Sequence, residues 1–292
     1  FGLMPIFTKL AYAGMDFPTD HRVKMVLVIR FVVAAFCMWI IWFSQGRQIV
    51  IHDRRATWRD IVPLIAMGAL GYVGQSFSYF TALGSISASA TGLLLYTYPI
   101  LVTLLAWLLL HEHMDGRKII SLGISTVGAL MVLGIFTSLF FGGSGLGSLN
   151  STGVFWGLAA AGIYSLYIIA GARFTPNIAP IFASMVIITS AAVVYTVWGI
   201  LAGEIHLNLT WDAWFWSIMI ALICTVVAIV TFFAGLSTVG PSRAAIISTL
   251  EPAVTVVLAA PILQETTTLE QLFGGALILC AVLLLQIKRN KL

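Results

Sequence analysis

Long apolar runs, each closed by a short polar or glycine-bearing segment, succeed one another along almost the whole chain. Most run to about 20 residues, the length a helix needs to cross roughly 30 Å of hydrocarbon, rather than the ten-residue alternation of a barrel strand. The pattern predicts helices over about 1–14, 23–44, 60–82, 85–110 and 117–140, then 151–172, 178–202, 212–237, 242–263 and 269–287. Between the two sets of five lies a Gly/Ser-rich stretch with no periodicity, Gly142 to Ser148, which reads as a linker. The expected organisation is therefore residues 1–141, a linker at 142–150, and residues 151–292. Because the chain opens at Phe1 inside an apolar run, the first helix is expected to lack its first turns.

The second set of helices echoes the first. Residues 79–112 laid over 232–265, 153 positions on, match at Phe80/Phe233, Leu83/Leu236, Ser89/Ser242, Pro99/Pro252, Leu105/Leu258, Ala106/Ala259 and Glu112/Glu265. This is the signature of an internal duplication of a helical hairpin. The first arms echo more weakly, with Gly2, Leu3 and Tyr12 falling on Gly157, Leu158 and Tyr167. Five helices is an odd number, so the second half must enter the membrane from the opposite side, which makes the duplication inverted. The predicted fold is an all-α integral membrane protein of ten transmembrane helices, arranged as two inverted five-helix repeats around a central cavity.

Composition supports the membrane reading: 60% of residues are hydrophobic, 9% are charged, and mean hydropathy is +1.03. Such a chain cannot cover itself with a polar surface. The net charge of +4 does not point to nucleic acid, because no water-exposed basic face interleaved with aromatics is present. Its distribution orients the chain instead. With the N-terminus inside, the inner loops hold Arg47, Arg54, Arg55, Arg59, Arg117, Lys118, Arg173, Arg243, Lys288, Arg289 and Lys291, and the outer loops only Arg22 and Lys24. That bias places both termini in the cytoplasm. Cys37, Cys224 and Cys280 all fall in apolar runs, where small buried thiols are commoner than disulfides or metal ligands.

Candidate chemistry gathers near the middle of the predicted helices. Pro99 and Pro252 each remove a backbone donor, freeing the carbonyls of Leu95 and Ser248, so both helices should bend toward the bundle interior or simply kink for shape. Glu251 is the one acidic residue deep in an apolar run; with Ala244, Ser248 and Thr255 it forms a small, polar helical face. A carboxyl group there either couples protons, meets a substrate ammonium, or braces the bundle through a hydrogen bond. Its counterpart by duplication is Tyr98. Gln75, Tyr79, Tyr98, Tyr164 and Tyr167, with Tyr72 and Tyr96, are candidates to line a partly apolar substrate site or else to fill the bundle core. Lys9 is a candidate gate, and Arg30 is expected to snorkel toward the interface. Glycines at 68, 71 and 74, and at 153 and 157, read as close-packing positions between helices. His111 and His113 flank Glu112 without further ligands, so no metal is implied, and no phosphate loop or nucleophile elbow points to an ATP-driven pump or an enzyme.

Over essentially its whole length the chain resembles the EamA-type members of the drug/metabolite transporter superfamily. The features that carry the resemblance are the two five-helix halves, Ala82-Leu83 closing the third helix, Pro99 and Pro252, Glu112 and Glu265, Lys9 in the first helix, and Arg30-Phe31 in the second. The resemblance implies a cofactor-free secondary transporter, usually an exporter, with a cavity between its halves. Its expected partners are the lipid bilayer of the inner membrane and a small-molecule substrate, for which the tyrosine lining rather than the resemblance points to an amino-acid-like, aromatic or cationic compound, the protein being a monomer or weak dimer. The competing reading is a membrane protein without flux, such as a lipid-modifying enzyme or a structural partner; the duplication and the paired prolines favour transport.

Overall fold

The computed structural model describes residues 2–16, 19–44, 57–86, 88–132, 150–176, 178–203, 208–251, 254, 257–258, 262 and 269–286. Among these residues every regular element is a helix: α1 (Met4–Ala13), α2 (Thr19–Ser44), α3 (Trp58–Ala66), α4 (Val73–Ser85), α5 (Ala88–Leu95), α6 (Tyr98–Leu110) and α7 (Gly116–Val132) come first. They are followed by α8 (Ser151–Phe174), α9 (Pro180–Leu201), α10 (Trp211–Ala221), α11 (Ala228–Val239), α12 (Pro241–Ser248) and α13 (Leu269–Gln286). A π-helical segment, Met67–Tyr72, joins α3 to α4 in one continuous rod, and a second, Leu222–Val227, joins α10 to α11. Among the described residues five rods are long and apolar enough to span a bilayer: His21–Ser44, Trp58–Ser85, Ser151–Phe174, Pro180–Leu201 and Trp211–Val239, with Tyr98–Leu110 and Leu272–Ala281 as shorter apolar helices. Their outer faces carry large bare side chains such as Phe36, Leu70, Phe155 and Ile200. That surface suits hydrocarbon, and the protein is a multi-pass membrane protein. The predicted linker at 142–149 and the predicted end of the fifth helix, 133–140, lie outside the described residues, as do Pro252 and Glu265.

The helix starts show why the chain folds locally as it does. Thr57 donates its backbone N–H and its hydroxyl to Asp60 Oδ2, at 2.9 and 2.7 Å, closing the first turn of α3. Asn150 Oδ1 accepts from the Thr152 N–H ahead of α8, and Thr210 Oγ1 accepts from the Ala213 N–H at the head of α10. Trp58 and Trp211, the first residues of α3 and α10, are 70% and 90% exposed, as interfacial anchors are. Thr57-Trp58 and Thr210-Trp211 stand 153 positions apart, the same spacing that separates the matched pairs in the sequence.

Pro99 does not kink a continuous helix as its mid-run position suggests. The rod stops at Leu95, turns through Tyr96 and Thr97, and restarts with Pro99 in the first turn of α6, where a missing N–H needs no helical partner. Thr97 makes the stop: its N–H and its hydroxyl both donate to the Leu94 carbonyl, at 3.3 and 2.7 Å. Thr249 does the same to the Ile246 carbonyl after α12, at 3.1 and 2.6 Å. Elsewhere, hydroxyls bond within their own helix. Thr8, Thr103, Ser165, Thr175 and Ser184 each donate to the carbonyl four residues back at 2.7 Å.

Small residues set how closely the rods approach. A Cβ added to Gly157 of α8 would lie 2.6 Å from Leu94 Cδ1, and one added to Gly68 would strike Ser190 and the Ile187 carbonyl of α9. Ser165 Oγ lies 3.4 Å from the Tyr98 carbonyl, and a Cβ added to Gly2 would lie 2.9 Å from the Glu251 carbonyl.

Candidate functional site

Helix α2 carries Arg30 into the centre of the bundle, where it is 2% exposed. Its Nε donates to Thr225 Oγ1 and its Nη2 to the Tyr72 hydroxyl, both at 2.7 Å. The guanidinium also lies over the rings of Phe31 and Tyr72, 5.1 and 5.5 Å from their centroids. The expected snorkelling therefore does not occur. Directed hydrogen bonds and two ring faces offset the loss of water, which an interface would otherwise have to supply.

From Tyr72 an unbroken run of phenol rings leads away from Arg30. Tyr72 stacks on Tyr167 at 5.6 Å, Tyr167 on Tyr164 at 6.2 Å, Tyr164 meets Tyr98 edge-on at 4.9 Å, and Tyr98 lies 6.4 Å from Tyr96. The Tyr96 hydroxyl hydrogen-bonds the Glu251 carboxyl group. Tyr79 is within electrostatic reach of both Arg30 and Glu251. The Tyr98 hydroxyl reaches the Ala245 carbonyl at 3.4 Å and also meets Ser248, joining α6 to α12. Among the described residues the Tyr167 hydroxyl is buried with no hydrogen-bond partner. Four of the tyrosines singled out in the sequence, Tyr79, Tyr98, Tyr164 and Tyr167, thus share one interior with Glu251. Gln75 is buried on α4 and accepts from Ser76 Oγ at 3.3 Å. Lys9 is exposed on α1, Pro99 sits in the first turn of α6, and Pro252 lies outside the described residues.

Two participants have no signal in the apolar pattern. Thr225 is an ordinary threonine within an apolar run, and Tyr195 looks like an interfacial aromatic. The structure stacks Tyr195 on Phe31 at 5.1 Å and lets its hydroxyl donate to the Val73 carbonyl at 2.9 Å. Thr225 could have been found: it stands 153 positions after Tyr72, so the two ligands of Arg30 occupy matched positions.

A cavity of about 300 Å³ opens beside this interior, between α11 and α12, lined by Thr231, Phe232, Leu236, Val239, Ile247 and Ser248 among others. Val239 and Ile247 follow Ile86 and Leu94 by 153 positions, and those two pack on Gly153 and Gly157 of α8. At the far end of α6, His111 turns left-handed (φ 52°) and the Glu112 N–H returns to the Ala106 carbonyl at 3.1 Å. Glu112 then accepts from Lys118 Nζ on Oε1 at 2.6 Å and from Ser242 Oγ on Oε2 at 2.7 Å, binding the turn after α6 to the start of α12. In that turn Asp115 Oδ1 accepts the Lys118 N–H at 2.9 Å and caps α7. This bond holds the Asp115 carboxyl below its ordinary range, aided by the nearby charges of Lys118, Arg243 and Arg117.

A multi-pass helical bundle with an aromatic interior between one buried cation and one carboxyl group has the form of a membrane transporter. The chain belongs to the EamA-like transporter family, which matches residues 1–134 and again 151–287. It is 30% identical over 250 residues to an uncharacterized transporter of Synechocystis, covering 80% of this chain and 72% of that one. An uncharacterized transporter of Archaeoglobus fulgidus is 25% identical over 210 residues, covering 71% and 70% of the two chains. A solved crystal structure at 17% identity superposes with a TM-score of 0.75 over 98% of this chain and 94% of that one, so the fold is shared. The family implies a small-molecule substrate and a lipid bilayer around the protein.

Proposed function

We propose that this protein is a secondary transporter that exports small organic metabolites by alternating access, with ten transmembrane helices in two inverted five-helix repeats around a central cavity. The observation that carries the reading is the Tyr167 hydroxyl, buried without a hydrogen-bond partner among the described residues, in the middle of an aromatic run that ends at Glu251. An unmet buried donor costs about 1–3 kcal/mol, and a substrate that brings an acceptor to it regains that energy. Phenol faces favour aromatic or cationic bodies, and Glu251 meets an amino group or carries a coupling proton. Amino-acid-like, aromatic and cationic compounds fit this lining. The repeat is supported by the helix starts at Thr57 and Thr210, which share the spacing of the matched pairs, and by the helix stops at Thr97 and Thr249 and the two π-helical segments, which fall close to that spacing without matching it.

Both termini lie in the cytoplasm and the host bilayer is the inner membrane, on the strength of the basic loops. A reporter fused to the C-terminus and active only outside the cell must stay silent. Function is tested with purified protein in sealed vesicles, using a panel of radiolabelled aromatic amino acids and aromatic amines under an imposed pH gradient. Gradient-dependent flux of at least one, together with a raised thermal midpoint in its presence, is the expected result. A panel in which none binds and none moves overturns the substrate class.

A further inference from the structure

Arg30 does not merely fill the core; its two hydrogen-bond acceptors sit in special backbone. Tyr72 ends the π-helical segment Met67–Tyr72, and Thr225 lies within Leu222–Val227. Thr225 Oγ1 accepts from Arg30 and also donates to the Ile220 carbonyl five residues back, at 3.1 Å, so its rotamer is tied to the wide turn. A π turn holds one residue more than an α turn, and such bulges concentrate at functional sites. Passing the extra residue along the rod rotates the side chains it crosses by about 100°. Either acceptor would then swing off the guanidinium. Arg30 is 2% exposed and, among the described residues, has no carboxylate partner, so a lost acceptor would leave a buried cationic donor unmet.

We propose that Arg30 is a positioning residue that couples the two π-helical segments, so that the rods Trp58–Ser85 and Trp211–Val239 change their wide turns together. The matched placement of Tyr72 and Thr225 makes one side chain on α2 answer to both rods at once. The coupling is a property of the bundle itself and requires no knowledge of substrate, so it can fail while the transport reading stands, and the reverse.

Amide hydrogen exchange on the purified full chain in lipid nanodiscs, without any added compound, tests it. Tyr72→Phe removes one hydroxyl and should speed exchange about tenfold at 222–227 as well as at 67–72, the size expected for one lost bond to a charged group. Thr225→Val should do the same in the opposite direction, and Arg30→Lys should speed both segments. Ser184→Ala, which removes a hydroxyl bonded within its own helix, should leave both unchanged. If Tyr72→Phe and Thr225→Val each loosen only the segment that bears them, the coupling is refuted, even if Arg30→Lys fails to fold.

Discussion

Ser242 and Glu112, 130 residues apart in the chain, are joined by a 2.7 Å hydrogen bond. Its second oxygen holds Lys118, so one carboxylate binds the turn after α6 to both α7 and α12. The side chains of Lys118 and Glu112 are 9% and 19% exposed, well away from the screening that weakens surface pairs. Glu112→Ala leaves the Lys118 ammonium group only the His113 carbonyl, at 2.7 Å, and leaves its charge uncompensated, so it is expected to lower stability by about 2–3 kcal/mol. Glu112→Gln, whose carbonyl oxygen can still accept from Lys118 while its amide NH2 donates to Ser242 Oγ, should lose less. Thermal unfolding in detergent ranks the two variants; equal midpoints with the parent would mean that the bond contributes nothing.

Glu251 separates coupling from bracing. Glu251→Gln keeps the size of the side chain and its hydrogen bond with Tyr96 but removes the titrating proton. Flux driven by a pH gradient should disappear while exchange of labelled for unlabelled substrate continues, since exchange moves no net proton. PH-driven flux at the parent rate would assign Glu251 to bracing alone, and Glu251→Leu would then show the loss of stability.

Glycine positions should respond to crowding rather than to helix propensity. At Gly68 an added Cβ strikes the Ile187 carbonyl and Ser190 of α9, so Gly68→Ala is expected to cost about 1–3 kcal/mol. At Gly162 of α8 an added Cβ meets nothing within 4 Å, and Gly162→Ala should change stability by less than about 1 kcal/mol. Melting curves for the pair decide it, and a Gly68→Ala variant as stable as Gly162→Ala would contradict the packing described here.

Asp115 supplies a pH dependence with a definite sign. Its carboxyl is held below the ordinary range by the Lys118 N–H, so the ionised form is favoured in the folded protein. The stabilisation is full above the ordinary aspartate value, near 3.9, and fades as pH falls through the lower folded value. Asp115→Ala should cost about 1 kcal/mol at neutral pH, while Asp115→Asn keeps the cap and loses that pH dependence. Protection of the first amides of α7, followed from pH 7 down to pH 3, measures both; protection that does not change with pH in the parent excludes the cap.

The rods were legible in the apolar runs because lipid-facing and core-facing positions are both hydrophobic, so length alone marks a span. Their interruptions were less so. Pro99 announced a disturbance, but whether a proline bends a helix or restarts one depends on how the residues ahead of it bond. Here Thr97 ends the ladder with two bonds to Leu94, which no period records. The π-helical segments leave no trace in hydrophobicity because they shift one residue without changing its polarity. Of the site, the tyrosines and Glu251 could be picked out as polar groups in apolar surroundings, whereas Arg30 was placed at the wrong depth. Position along α2 gave its distance from the helix end but not the side of the helix it occupies, and it was the acceptors Tyr72 and Thr225 that made the interior tolerable.

The hydroxyls that bond four residues back along their own helices bear on how the protein is made. Thr8, Thr103, Ser165, Thr175 and Ser184 need no neighbouring helix to meet their hydrogen-bonding demand. Each such helix can leave the translocation machinery and enter lipid with these side chains already satisfied. Arg30 cannot, because its acceptors Tyr72 and Thr225 are synthesised later. Until the rod bearing Thr225 arrives, nascent α2 can meet this guanidinium only by drawing it toward the headgroups, which makes the closing of both of its bonds a late step in assembly.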